Sequence, residues 1–184
     1  SDLEDHAYWT AADGCLFEGA KEGGLASTIA CAPDAATSLA LVGDTAYVTT
    51  TEGALYRTEL IAGSAFEKVA SDENFGDGIV ADTSGVYWVD AGNRRVRRYR
   101  DFNGEVDTLA RSQYAPAAVA QDRFYLYFST QGDGSVKRVL KAGGDVELMA
   151  DEQNQPGQLA VGDEFVYWIN EGDGSVMRLY KHYN

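Results

Sequence analysis

The chain has 184 residues, a formal net charge of −14 at pH 7 and a hydrophobic fraction of 45%, enough for one sizeable core and a prior of one domain. A surface this acidic repels nucleic acid and anionic membranes and suits a basic or neutral partner. No stretch approaches the roughly 20 apolar residues that cross a bilayer as a helix; no signal-like segment is present, and a chain opening on Ser1 without Met leaves an export signal open.

The first element in chain order is a tyrosine–hydrophobic pair, Tyr8-Trp9. It returns as Tyr47-Val48, Tyr87-Trp88, Tyr127-Phe128 and Tyr167-Trp168, at steps of 39, 40, 40 and 40 residues. Three further landmarks keep this period. Ala30, Ala70, Ala110 and Ala150 close short segments such as "TIA" and "KVA". Leu39, Ile79, Val119 and Leu159 open apolar runs, and Leu16, Leu55, Val96, Val136 and Val176 follow the tyrosines. Four landmarks in phase establish an internal repeat. Its divisions fall near 1–34, 35–74, 75–114, 115–154 and 155–184, within a single domain spanning 1–184.

Each repeat resolves into four short β-segments separated by turn residues. In the last complete pattern, strand A is "QLAVG", strand B "EFVYWIN" and strand C "SVMRLYK", with strand D, "DVELMA", one repeat earlier. Four strands in about 40 residues is the arithmetic of a β-propeller blade. The expected fold is therefore all-β, with about 4.5 repeats. Because both faces of a blade pack on neighbours, consecutive residues such as Tyr167 and Trp168 are both expected to be buried. Residues begin at strand B of the first repeat and stop after strand C of the fifth. A five-bladed ring with two thin blades, a partial ring completed by a second chain, and a piece of a longer propeller are all compatible with that. Unpaired strand edges favour association.

The segments "YWVD" (87–90) and "YWIN" (167–170), and the longer "PGQLAVGDEFVYWINEGDGSVMRLYK", resemble the YWTD-type repeats of lipoprotein-receptor propellers. They resemble still more the repeats of bacterial secreted or surface propellers. The resemblance implies a propeller fold and no specific activity. It weakens in the first two repeats, where Tyr47-Val48-Thr49-Thr50 and Tyr8-Trp9-Thr10-Ala11 lack the final Asp or Asn.

Cys15 and Cys31 flank Gly23-Gly24, eight residues outward from residue 23 in each direction. That places them opposite each other on strands C and D, where a cross-strand disulfide would staple the first blade and imply an oxidising compartment. The other reading is two buried thiols. Two cysteines with the distant His6 and His182 give no metal-ligand spacing, and no cofactor is implied. Asp133-Gly134 and Asp173-Gly174 read as hairpin turns, since a calcium loop needs several oxygen ligands within a dozen residues.

Arg57, Arg98, Arg138 and Arg178 occupy one repeat position and read as structural, with Asp44, Asp82, Asp122 and Asp163 near the A–B turns as suggested partners. "GNRRVRRYR" breaks the acidic trend: Arg94 and Arg95 stand where the fifth repeat has Gly174 and Ser175. This run is either a solvated strand or, with Arg97, a basic island for an acidic partner. Antiparallel blades put the D–A loops and B–C turns on one side. The D–A loops vary most and offer Asp72, Glu73, Phe75 and Tyr114 beside those arginines.

The leading expectation is a non-catalytic, secreted, periplasmic or cell-surface module that uses this loop face and its open blade edges to bind protein, further copies of itself included. A carbohydrate-binding, lectin-like propeller is the alternative. A lactonase- or lyase-like enzyme ranks last, because no acid–base constellation or activated nucleophile is visible in the sequence.

Overall fold

The computed structural model describes residues 5–181, which form 18 β-strands in five antiparallel sheets. Packing divides the chain into two compact units. One holds residues up to Glu73 with Ala81–Val86, and the other holds Asn74–Val80 with the residues from Tyr87 onward.

The first unit contains two sheets. Strands β1 (His6–Thr10), β2 (Cys15–Ala20) and β3 (Ser27–Cys31) form the first, in that order. Cys15 pairs with Cys31 across the β2–β3 ladder, and the two are joined by a disulfide. The second sheet runs β4 (Ala36–Val42), β5 (Thr45–Thr50), β6 (Leu55–Glu59) and β7 (Glu67–Ala70). Leu16, Ile29 and Ala30, with Tyr8, share a core with Ala46, Leu39 and Leu41.

The third sheet has β8 (Val80–Asp82), β9 (Gly85–Asp90), β10 (Arg95–Arg100) and β11 (Glu105–Ala110). The fourth has β12 (Pro116–Gln121), β13 (Tyr125–Thr130), β14 (Ser135–Leu140) and β15 (Glu147–Ala150), and the fifth β16 (Pro156–Val161), β17 (Phe165–Asn170) and β18 (Ser175–Tyr180). β8 is short because residues 75–78 leave the ladder: Phe75 bridges Asp90, and Asp77 bridges Ala118 in parallel. Gly76 permits that detour, since a Cβ there would lie 2.3 Å from the Ala117 carbonyl oxygen.

The strands follow from β-branched and aromatic runs cut by glycine turns. Register is set repeat by repeat. A bulge follows Leu16, Leu55, Val96 and Val136, one repeat position in four sheets. Alternation along each strand then divides the apolar residues between two faces, which we call forward (the face that carries the tyrosine of the repeated pair) and rear. Forward residues Tyr87, Val89 and Val96 of the third sheet meet rear residues Val119, Leu126, Phe128 and Val139 of the fourth. Forward residues Tyr127 and Val136 of the fourth meet rear residues Val166 and Trp168 of the fifth. Full burial of each such side chain is worth roughly 1.5–3 kcal/mol.

In the second, third and fourth sheets both members of the tyrosine pair are buried. In the fifth they are not: Trp168 is buried but Tyr167 is 36% exposed. The expectation that both are buried fails there because a sheet covered on one face only reverts to simple in–out alternation, the burial of β17 running through alternate residues.

Candidate functional site

The loop face is held together by backbone hydrogen bonds that repeat along the chain. In the second unit, Gln113 N donates to Arg94 O (2.9 Å), and the B–C turn of the next sheet returns Gln131 N to Ala115 O (2.9 Å) and Gly132 N to Tyr114 O (3.1 Å). One repeat on, Gln153 N donates to Gly134 O, Glu171 N to Gln155 O and Gly172 N to Asn154 O. Each of these D–A loops is thus clamped between two B–C turns. The first unit uses the same bond, Glu73 N to Gly53 O (3.1 Å). The A–B and C–D turns pair on the other side, as in Lys141 N to Phe124 O and Lys181 N to Glu164 O. The side assignment expected from topology therefore holds within each sheet.

Arg94 and Tyr114 meet on this face. The Arg94 guanidinium lies 5.0 Å from the Tyr114 ring centroid, and its Nε donates to Gln113 O at 3.1 Å. Both side chains are exposed. Arg94 has φ +57°, whereas the equivalent residues Gly14, Gly53, Gly134 and Gly174 have φ between +61° and +82°. An L-residue held there costs about 1–3 kcal/mol, so arginine occupies a site built for glycine. Tyr114 is also an exception, with Asp34, Asn74 and Asn154 at the same place. The Tyr114 ring lies against Gly132, where a Cβ would come within 2.4 Å of it.

The other expected site residues lie elsewhere. Arg95 turns to Asp90, its Nε donating to Oδ2 at 3.0 Å. Asp90 is fully buried and also accepts from Asn74 N and from Asn93 N and Nδ2. Burial raises its pKa, but the Arg95 and asparagine hydrogen bonds outweigh that and hold the carboxyl below its ordinary value of 3.8. Arg97 Nη1 donates to Thr108 Oγ1 at 3.2 Å. The Phe75 ring packs 5.8 Å from that of Trp88. In the first unit, Asp72 accepts from Ser71 Oγ, and Glu73 is buried. His182 lies outside the described residues.

Three of the four repeat arginines pair within their own sheets with acids other than the suggested A–B ones. Arg57 meets Glu67 at 2.8 Å, Arg98 meets Asp107 at 2.7 Å and Arg138 meets Glu147 at 2.7 Å. Each acid is the cross-strand partner on strand D. The usable signal was an acid nine or ten residues after each arginine. Arg98 also donates to Lys141 O, and Arg178 stacks on Phe165 at 4.9 Å. Asp122 serves another purpose: it caps its own turn through Phe124 N and Tyr125 N and pairs with buried Lys181 at 3.2 Å.

Asp90, Gln113 and Lys137 are not singled out by the repeat pattern. Lys137 Nζ donates to Asp133 Oδ2 (2.6 Å) and Gln113 Oε1 (3.3 Å), tying a B–C turn to a D–A loop. Burial pushes the Asp133 pKa up, while the Lys137 and Thr130 hydrogen bonds bring it below its ordinary value. The signal for Asp90 was its departure from Thr130 and Asn170 in the same repeat where Arg95 replaces Ser135 and Ser175. Among the described residues, no group of three or more His, Cys, Asp or Glu is placed to hold a metal.

No family model matches the chain, and no curated protein matches it. Solved structures do. The chain is similar to one in the nidogen/laminin complex, with 18% identity and a TM-score of 0.76 over 97% of this chain and 72% of that one. It is similar to the computationally designed Ika4 protein, with 18% identity and a TM-score of 0.66 over 86% of this chain and 98% of that one. Virginiamycin B lyase from Staphylococcus aureus gives 10% identity and a TM-score of 0.74 over 97% of this chain and 67% of that one. At these identities the likeness carries the fold alone: this is an all-β chain of β-propeller blades.

Proposed function

We propose that the chain is a non-catalytic, extracytoplasmic protein-binding module whose contact surface is the D–A loop and B–C turn face of the second unit, centred on Arg94 and Tyr114. One observation carries this reading. Two departures from the repeat, each replacing a small residue by a large one, are stacked on each other and exposed on a backbone-clamped surface. Arg and Tyr are the residue types on which binding energy concentrates at protein interfaces. Here the clamp fixes both before any partner arrives, which lowers the ordering cost of binding.

The chemistry also indicates the partner. An exposed guanidinium on a chain of net charge −14 steers toward a local carboxylate cluster with a neutral or basic surround. A sugar would need a free aromatic face to stack on, and Tyr114 already meets Arg94 and Gly132, which favours protein over carbohydrate. The Cys15–Cys31 disulfide supports an oxidising compartment.

The test replaces both residues by those of the other repeats, Arg94→Gly with Tyr114→Asn, and uses a phage-displayed random peptide library as the probe. Peptides that carry a local acidic cluster in a neutral or basic surround should be enriched on the wild-type chain and lost on the double variant, with stability to thermal unfolding lowered by no more than about 1 kcal/mol. Enrichment with no acidic preference, or retention of the same peptides by the variant, would refute the reading.

A further inference from the structure

The forward face of the fifth sheet and the rear face of the first carry the residues that are core elsewhere in the repeat, yet both are exposed. On the forward face, Tyr167, Ile169 and Val176 are 36%, 44% and 73% exposed. Their equivalents one repeat earlier, Tyr127, Ser129 and Val136, are all fully buried. An apolar pocket of about 260 Å³ lies on this face, lined by Tyr167, Ile169, Val176 and Ala160 among others. On the rear face of the first sheet, Trp9 is 41% exposed, while its equivalents Val48, Trp88, Phe128 and Trp168 are at most 3% exposed.

We propose that these two faces bind each other between copies, the fifth sheet of one chain receiving the first sheet of a second chain, so that copies associate head to tail. The occupant is identified by an interface already present inside the molecule. There, Trp168 on a rear face packs with Tyr127 and Val136 on the forward face before it. Trp9 is the rear-face counterpart of Trp168, and Tyr167 and Val176 are the forward-face counterparts of Tyr127 and Val136. The two surfaces are therefore the separated halves of one repeat contact, with indole, tyrosine and valine in their places.

Trp9 is also ready for it. Its ring stacks on Phe17 at 5.9 Å and 16° and lies over Gly19, where a Cβ would come within 3.2 Å. The indole is thus laid flat on its own sheet with its outer surface presented. Packing of this kind joins unlike faces, so the contact is heterologous and extends to closed rings or open chains of copies. The Arg94–Tyr114 face takes no part, so this inference stands or falls apart from the peptide-binding reading.

The test is sedimentation equilibrium on the wild-type chain, on Trp9→Asp, on Val176→Asp, and on an equimolar mixture of the two variants. Wild-type mass should rise with concentration above that of one chain, and each variant alone should stay at one chain. The mixture should form a two-chain species and stop there, because one variant keeps a good forward face and the other a good rear face. Ala7→Asp and Ile169→Asp, on the same two exposed faces, repeat the experiment should a first variant misfold by circular dichroism. A wild-type chain that stays at one-chain mass overturns the proposal, as does a mixture that fails to pair. Loss of association in one variant only would mean like faces pairing, and would overturn it too.

Discussion

The Asp90–Arg95 pair offers a measurement in which the molecule supplies its own control. Asp90 is fully buried and Arg95 is 26% exposed at its side chain. Asp90→Asn alone leaves the guanidinium without its counter-charge. Breaking a buried pair typically costs about 3–5 kcal/mol, and the residual hydration of Arg95 puts this case near 3. Arg95→Ser alone strands a carboxylate that keeps its bonds from Asn74 and Asn93, for a loss of about 2 kcal/mol. The double variant Asp90→Asn with Arg95→Ser recreates the arrangement of the fifth sheet, where Asn170 Nδ2 donates to Ser175 Oγ at 3.1 Å. It should fall within about 1 kcal/mol of wild type, giving a coupling energy well above the few tenths expected of independent sites. Urea unfolding followed by tryptophan fluorescence reads all three variants. The pH dependence gives a second check. Because the folded-state pKa of Asp90 lies below 3.8, its contribution is present above that value and fades as pH falls through the folded pKa, while Asp90→Asn lacks this acid-side loss. Additive single and double variants would refute the reasoning.

Three further outcomes follow from the same geometry. Reduction of the Cys15–Cys31 disulfide, which closes a separation of 16 residues, should lower stability by about 3 kcal/mol; an unfolding midpoint indifferent to reductant would contradict it. Arg138→Ala removes a pair with Glu147, a ring contact at 4.3 Å and a bond with Tyr127, whereas Arg178→Ala removes the Phe165 stack and, among the described residues, no ion pair. The first should cost about 2 kcal/mol and the second under about 1, and equal losses would show that the strand-D acid contributes nothing. Phe128→Ala, at a fully buried position, should cost about 3–5 kcal/mol in the same denaturant titration.

Much of this architecture was legible because a repeat averages out accident. The 40-residue period, the strands and the sides on which turns gather follow from landmarks present four or five times, and the disulfide register follows from the single Gly23-Gly24 hairpin. What escaped depends on neighbours that a linear pattern does not display. Tyr167 has the sequence context of Tyr127, yet one is exposed and the other buried, because burial on a blade face is set by the sheet that follows. The repeat pattern points to arginine partners in the A–B turns, whereas antiparallel register with a bulge brings in Glu67, Asp107 and Glu147 from strand D. Arg94 was readable as an intrusion at a glycine position, but its contact with Tyr114 joins two loops 20 residues apart in sequence.

The exceptions to the repeat can be sorted by asking what each gives the fold. Asp90 and Arg95 satisfy each other in the interior, so that exception is compensated and structural. Arg94 is different, and its energetics can be worked through. Replacing it with glycine relieves about 1–2 kcal/mol of left-handed strain but adds about 0.5–1 kcal/mol of backbone entropy to the unfolded chain. The exposed stack on Tyr114 that would be lost is worth about 0.5–1 kcal/mol. The Nε bond to Gln113 O is lost as well, worth about 0.5–1.5 kcal/mol, so Arg94→Gly should lower stability by only about 1 kcal/mol. So small a return from an arginine at a strained site is the pattern that a binding role predicts. If Arg94→Gly instead lowered stability by more than about 2 kcal/mol, the arginine would be a clamp for the Gln113 loop and the case for a binding surface at this position would fail.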